Sequence, residues 1–198
     1  MKGALIFHWP EMPALPPPGQ PVLIRVATAP ARQTARKELR TALRQVLAAW
    51  SNFSSENLPL RETAAGPTWP GQLGDHGLDI SLSYADGEGW IGLLRAGWIG
   101  VDVLRLQLVP EAEAVAQHYL DAGAWQNIQQ ATDPALAFAT AWTTLEARLK
   151  CRKQPLRESA AAPVPDTTPC EIQNLVQADG LLVTVATLPA GGLESSRI

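Results

Sequence analysis

The 198-residue chain has little of several things, and each shortage excludes something. It has only two cysteines, Cys151 and Cys170, so it carries neither a disulfide framework nor the paired Cys spacing of a zinc site. No apolar run approaches the roughly 20 residues that span a bilayer. The N-terminal run Leu5–Phe7 is too short for a secretory signal, and His8, Pro10 and Glu11 interrupt it. Positive charge is not in excess: the formal net charge is −3, which gives no electrostatic case for nucleic acid or an anionic membrane as partner. No phosphate-binding Gly-rich loop, dinucleotide fingerprint or Ser/Cys–His triad pattern occurs, and His8, His76 and His118 lie apart. These absences describe a reduced, cytoplasmic protein.

What is present is a chain able to bury a core, with 46% hydrophobic and 18% charged residues. Leu5–Trp9 and Pro21–Ala27 read as strands, joined by the proline-rich stretch from Pro13. From Ala31 to Trp50, Leu39, Leu43, Val46, Leu47 and Trp50 recur at helical spacing. Ser51–Gly77 has loop composition. Leu78–Tyr84 alternates, as do Trp90–Arg95 and Trp98–Val103, and tight breaks separate them. Together they predict a three-stranded antiparallel meander. Helices are expected over Pro110–Leu120, Trp125–Ala131 and from Asp133 to about Lys153. The last has Asp133 as cap, Pro134 at its first position and a stripe of Phe138, Trp142, Leu145 and Leu149. A low-complexity loop, Arg157–Pro169, precedes two closing strands at Glu171–Val176 and Leu181–Leu188. The order predicts an α+β fold of two halves, residues 1–101 and 102–198, meeting near Asp102.

Four places hold residues able to do chemistry. Asp102 lies late in an apolar strand, on the face holding Gly100, where a small neighbour leaves room beside the carboxylate; the plain alternative is a strand-end Asp facing water. Glu146 sits at the edge of the apolar stripe of its helix, with Trp142 and Lys150 at i−4 and i+4 along one side. The plain alternative is a Glu146–Lys150 helix pair worth about 0.2–0.5 kcal/mol. Arg32 and Arg36 extend the apolar face of the first long helix at its N-terminal end, where they suit an anion or form a solvated basic end. Ser81-Leu82-Ser83, before a Gly-containing turn, offers hydroxyls and N–H groups to a phosphate, or is an ordinary hairpin strand.

In order, these pieces resemble the 4'-phosphopantetheinyl transferases. That family has a helix with spaced arginines, a strand ending in Ser-His-Ser, a strand with Gly-x-Asp-x-Glu and a helix with Trp-x-x-Lys-Glu-Ala-x-x-Lys. The matching stretches are Ile80–Ala85, Ile99–Leu104 and Phe138–Lys150, within Arg32–Leu156. The chain departs from the pattern at Tyr84 and Ala85 (for His and Ser), Leu104 (for Glu), Leu145 (for Lys) and Lys153–Leu156 (for Gly-x-Gly-Leu). A basic residue often precedes the Pro of the upstream loop and is missing at Gly66-Pro67.

The resemblance implies two similar α+β halves in a pseudo-twofold arrangement, with coenzyme A between them. The reaction it implies moves the phosphopantetheine arm of coenzyme A to a serine of an acyl or peptidyl carrier protein and releases 3',5'-ADP. Asp102 and Glu146 would hold Mg²⁺, a hard cation that prefers oxygen ligands. Glu146 would activate the serine hydroxyl, and Lys150 would neutralise the diphosphate. Arg32 and Arg36 would grip the 3'-phosphate, with Ser83 and Tyr84 also on coenzyme A. The intramolecular cleft implies a monomer. The alternatives are a relative that binds coenzyme A or a carrier without transfer, and an interaction domain with no ligand.

Overall fold

The computed structural model describes residues 3–63, 66–121, 123–156 and 169–190. The predicted loop from Arg157 falls almost wholly outside them. The chain is α+β, with two main sheets and a long helix against each. In the first sheet the order is β1 (Leu5–His8), β2 (Val22–Ala27), β7 (Glu88–Arg95), β6 (His76–Ala85), β5 (Gln72–Leu73). β1 runs parallel to β2 and the other pairs are antiparallel. In the second sheet β8 (Gly97–Arg105), β10 (Leu181–Pro189) and β9 (Glu171–Val176) pair antiparallel, with β10 central.

Alternation in the strands decides the layers. Val22, Ile24, Val26, Ile91 and Leu93 face α1 (Arg32–Trp50) and meet its buried residues Leu39, Leu43, Val46 and Leu47. Their neighbours Leu23, Trp90 and Leu94 point the other way, onto Ile99, Val101, Val103, Leu181, Val183 and Val185 of the second sheet. The outer face of that sheet carries Gly100, Asp102, Thr184 and Ala186 and is covered by α4 (Pro134–Cys151). The helices α2 (Ala112–Tyr119) and α3 (Ala124–Gln130) pack against α4 through Ala116, Ile128 and Phe138.

Each sheet is built from a strand, a helix and then a hairpin whose second strand returns to the centre. This gives β2-β7-β6 in one sheet and β8-β10-β9 in the other. Each hairpin turns at the triplet Ala-Asp-Gly, at Ala85-Asp86-Gly87 and Ala178-Asp179-Gly180, with both glycines at positive φ, 82° and 79°. Each turn Asp reaches the other sheet's first strand: Asp86 accepts from Arg105 Nε of β8 at 2.7 Å, and Asp179 accepts from Arg25 of β2.

Three sequence expectations change. The meander is two strands, not three: β8 leaves the β6–β7 hairpin after Ala96 and joins the other sheet. Its inward residues Ile99, Val101 and Val103 therefore cover the hairpin instead of extending it. The segment Ser51–Gly77 is not all loop. It contains the small ribbon of β3 (Arg61–Thr63) and β4 (Gly66–Thr68), then β5, and β6 begins at His76. Such strands are too short to show alternation. The buried face of α4 is Phe138, Ala139, Thr143, Ala147 and Cys151; Trp142, Leu145 and Leu149 are half-buried. The helix lies so close to β8 that only small side chains fit between them. A Cβ on Gly100 would lie 1.9 Å from the Ala147 carbonyl oxygen and 2.5 Å from Cys151 N.

Candidate active site

The helix α4 begins as expected. Asp133 Oδ1 accepts from Leu136 N at 2.9 Å, and Pro134 fills the first position. Arg148 and Lys150 stand in its last turn, where the helix dipole favours cations. Beyond it, Lys153 has φ 56°, and the N–H groups of Lys153 and Gln154 bond the carbonyls of Lys150 and Leu149. A helix terminus of this shape usually has glycine there.

The close approach at Gly100 brings α4 over Asp102. The room that glycine leaves is filled by helix backbone, and the group that reaches the carboxylate is Lys150. Its Nζ donates to Asp102 Oδ1 at 2.7 Å, to the Val101 carbonyl at 3.1 Å and to Ser83 Oγ at 3.2 Å. Ser83 Oγ donates to the same Asp102 oxygen at 2.9 Å. Asp102 is 7% exposed, so it is not a strand-end Asp facing water. Lys150 pairs with Asp102 rather than forming a helix pair with Glu146.

Glu146, one turn before Lys150, is half-buried and makes no hydrogen bond among the described residues. Burial raises its pKa above the ordinary 4.5, the Asp102 charge raises it further, and Lys150 opposes the rise. Two carboxylates held near each other, one without a donor, suit a cation. No group of three or more ligating side chains occurs among the described residues. Asp102 and Glu146 are two carboxylates, a number that Mg²⁺ accepts where water and substrate phosphate complete its shell.

A testable consequence follows for stability. Because the folded pKa of Glu146 lies above 4.5, the folded state holds its proton more tightly than the unfolded chain. The resulting stability is full below 4.5 and is lost as pH rises through the folded pKa. Glu146→Gln is therefore expected to melt higher than the parent at pH 8 without Mg²⁺, the difference closing toward pH 4.5. A lower melting temperature at pH 8 would contradict this electrostatic picture.

The remaining predicted residues lie at the end of β6 and the start of α1. Tyr84 follows Ser83 on β6, accepts a hydrogen bond from Arg32 Nε and lies under the Arg32 guanidinium, 5.7 Å from ring centroid to Cζ. Arg36 is exposed one turn further along α1. Arg40 is tied to Glu62 by two bonds of 2.8 and 2.7 Å, and Arg44 donates to the Ser55 carbonyl. Ser83 and Tyr84 are neighbours on β6 whose side chains take opposite faces, so Arg32 lies on the α1 side of the sheet and Asp102 on the other.

Ser81 and Ser83, expected to offer hydroxyls to a phosphate or to belong to an ordinary hairpin strand, lie with Asp79 on a buried face of β6. Asp79 Oδ2 accepts from Ile99 N at 2.8 Å, and Ser81 Oγ accepts from Val101 N at 2.9 Å. These side chains satisfy the outer edge of β8, where a neighbouring strand would otherwise stand. Lys153 completes a second buried pair, 2.8 Å from Asp79. The only sequence signal was a lysine at a glycine position of the resembled motif.

Leu104 and Leu145, which stand for a carboxylate and a lysine of the resembled motifs, each pack against the cluster of Phe138, Ile128 and Ala116. Both positions are given over to one apolar cluster. Two clefts, of about 400 Å³ beside Arg44 and about 490 Å³ beside Lys153, open elsewhere, and neither is lined by Asp102 or Glu146. Comparison with known protein families and with curated proteins finds no match. Among the described residues no helix is long and apolar enough to cross a membrane.

Proposed function

We propose that this chain transfers the 4'-phosphopantetheine arm of coenzyme A to a serine of an acyl or peptidyl carrier protein, releasing 3',5'-ADP. One observation carries the reading. Ser83, Asp102 and Lys150 come from three separate motifs and bond around one carboxylate, with Glu146 one helical turn before Lys150. The repeated strand–helix–hairpin order and the reciprocal Arg–Asp clasp support two transferase-like halves in a pseudo-twofold arrangement.

Asp102 and Glu146 would hold Mg²⁺, which supplies charge neutralisation at the diphosphate when bound. Lys150 adds a fixed positive charge at the same point. Glu146, whose carboxylate makes no hydrogen bond among the described residues, would take the proton of the attacking serine hydroxyl, directly or through water. Arg32, oriented by Tyr84, and Arg36 offer guanidinium donors to the 3'-phosphate.

The second reading is binding without transfer, and the apolar packing of Leu104 and Leu145, where the resembled motifs have a carboxylate and a lysine, favours it. Thermal melts with coenzyme A, with and without Mg²⁺, test the site shared by both. A ligand of the native state at a hundredfold excess over Kd adds about 2.7 kcal/mol. The expected result is a rise in Tm that is larger with Mg²⁺ and insensitive to Mg²⁺ in Glu146→Gln. No rise under any condition would remove both readings.

A further inference from the structure

The cleft of about 490 Å³ beside Lys153 lies apart from the site above. Trp69, Leu78 and Trp98 give it apolar walls, Gly77 and Asp79 share one face of β6 beside it, and Lys153 stands at its side just beyond α4. On β8 Trp98 comes four residues before Asp102, and on β6 Asp79 comes four before Ser83, so the cleft stands roughly 13 Å from the Asp102 group. Its size is that of a small-molecule site, about 300–1,000 Å³.

Gly77 leaves the cleft open, and packing does not require glycine there. Its φ is outside the left-handed region, and a Cβ would meet only the Gly71 carbonyl oxygen, at 4.0 Å. Glycine inside a strand weakens it and often marks a place where a ligand comes close. At Gly97, by contrast, a Cβ would lie 2.7 Å from the Leu188 carbonyl oxygen, so packing alone explains that glycine.

Lys153 is held at the cleft against two penalties. Its φ of 56° is one that side chains rarely adopt, and its ammonium sits in a half-buried ion pair, 2.8 Å from Asp79. Asp79 does not need that partner to bond Ile99 N, because a neutral amide oxygen would accept as well. Of the three ammonium donors, one goes to Asp79 and one reaches the Ile80 carbonyl at 3.5 Å. The third has no partner among the described residues. The cleft therefore offers two indoles and one positive charge with a donor to give.

We propose that this cleft binds a small aromatic carboxylate of one or two fused rings. The ring packs against Trp69 and Trp98, and the carboxylate accepts from Lys153 Nζ. One donor suits a singly charged carboxylate better than a phosphate dianion, whose three oxygens call for several donors. The proposal does not depend on the transfer reaction.

Calorimetric titration of the full chain with 2-naphthoate tests it, with 2-naphthalenemethanol as the same ring without charge. The expected Kd for naphthoate is about 1 mM or tighter, as for a ligand of this size, and the alcohol is expected to bind at least about tenfold more weakly. Gly77→Leu places a side chain in the cleft beside Asp79 and is expected to abolish binding of both probes while melting near the parent. Lys153→Met is expected to remove the preference for the charged probe. No binding of naphthoate to the parent, equal binding of the alcohol, or unchanged binding in Gly77→Leu would overturn the proposal. The two probes on the parent chain decide the question even if neither variant folds.

Discussion

Lys150→Ala is expected to lower transfer to a carrier serine by about 10²–10³-fold, the loss typical when one preorganised charge-stabilising group is removed. Its amine is the only cation bonded to Asp102 among the described residues, and it also holds Ser83 and the Val101 carbonyl. Removing it leaves Asp102, 7% exposed, with the Ser83 hydroxyl as its remaining donor. That loss is expected to cost about 1–3 kcal/mol, since a buried charged acceptor loses its strongest partner. For a chain of this size the change is roughly 2–12 °C in Tm. Lys150→Met keeps the hydrocarbon stem and separates the two effects. Transfer should fall as far as in the alanine variant, while less packing is lost. A Lys150→Met protein with parental transfer would show that the amine is only structural.

Gly100→Ala is expected to destabilise the chain more than alanine at any other described glycine. The added carbon would lie 1.9 Å from the Ala147 oxygen, 2.9 Å from the Ala147 carbonyl carbon and 2.5 Å from Cys151 N. All three are helix backbone and cannot rotate aside. Overpacking of a core ordinarily costs about 1–3 kcal/mol, and a clash with main chain on this scale belongs at or above the upper end. A fall in Tm of at least about 6 °C is expected. Lys150 lies between the two clashing residues, so a displaced α4 also lifts its amine from Asp102, and transfer should fall with stability. Parental Tm in Gly100→Ala would mean that α4 does not sit on β8 as described.

Much of this arrangement was legible as local pattern. The capped start of α4 at Asp133-Pro134, the apolar stripe of α1 and the spacing of Glu146 and Lys150 along one helix side depend only on neighbours in the chain. The halves of the site became readable through motif order, because Ser83, Asp102 and Glu146 are each unremarkable alone. The rest depends on contacts distant in sequence. The change of sheet at Ala96–Gly97 could not be seen from alternation, because Ile99, Val101 and Val103 alternate alike in either sheet. The burial of Asp79, Ser81 and Ser83 arises only when β8 brings the N–H groups of Ile99 and Val101 against the first two and the Asp102 carboxylate against the third. The small-residue face of α4 follows from Gly100, which the sequence reading took as space for a ligand. Lys153 holds a left-handed position because its amine reaches Asp79, a partner 74 residues away.

The central claim is tested most directly by weighing a purified apo carrier protein after incubation with this chain, coenzyme A and Mg²⁺. The account predicts that the carrier gains the mass of one phosphopantetheine arm on its serine and that 3',5'-ADP appears in equal amount, with neither product from Lys150→Met. An unchanged carrier across acyl and peptidyl types, at chain concentrations matching the carrier, would contradict it.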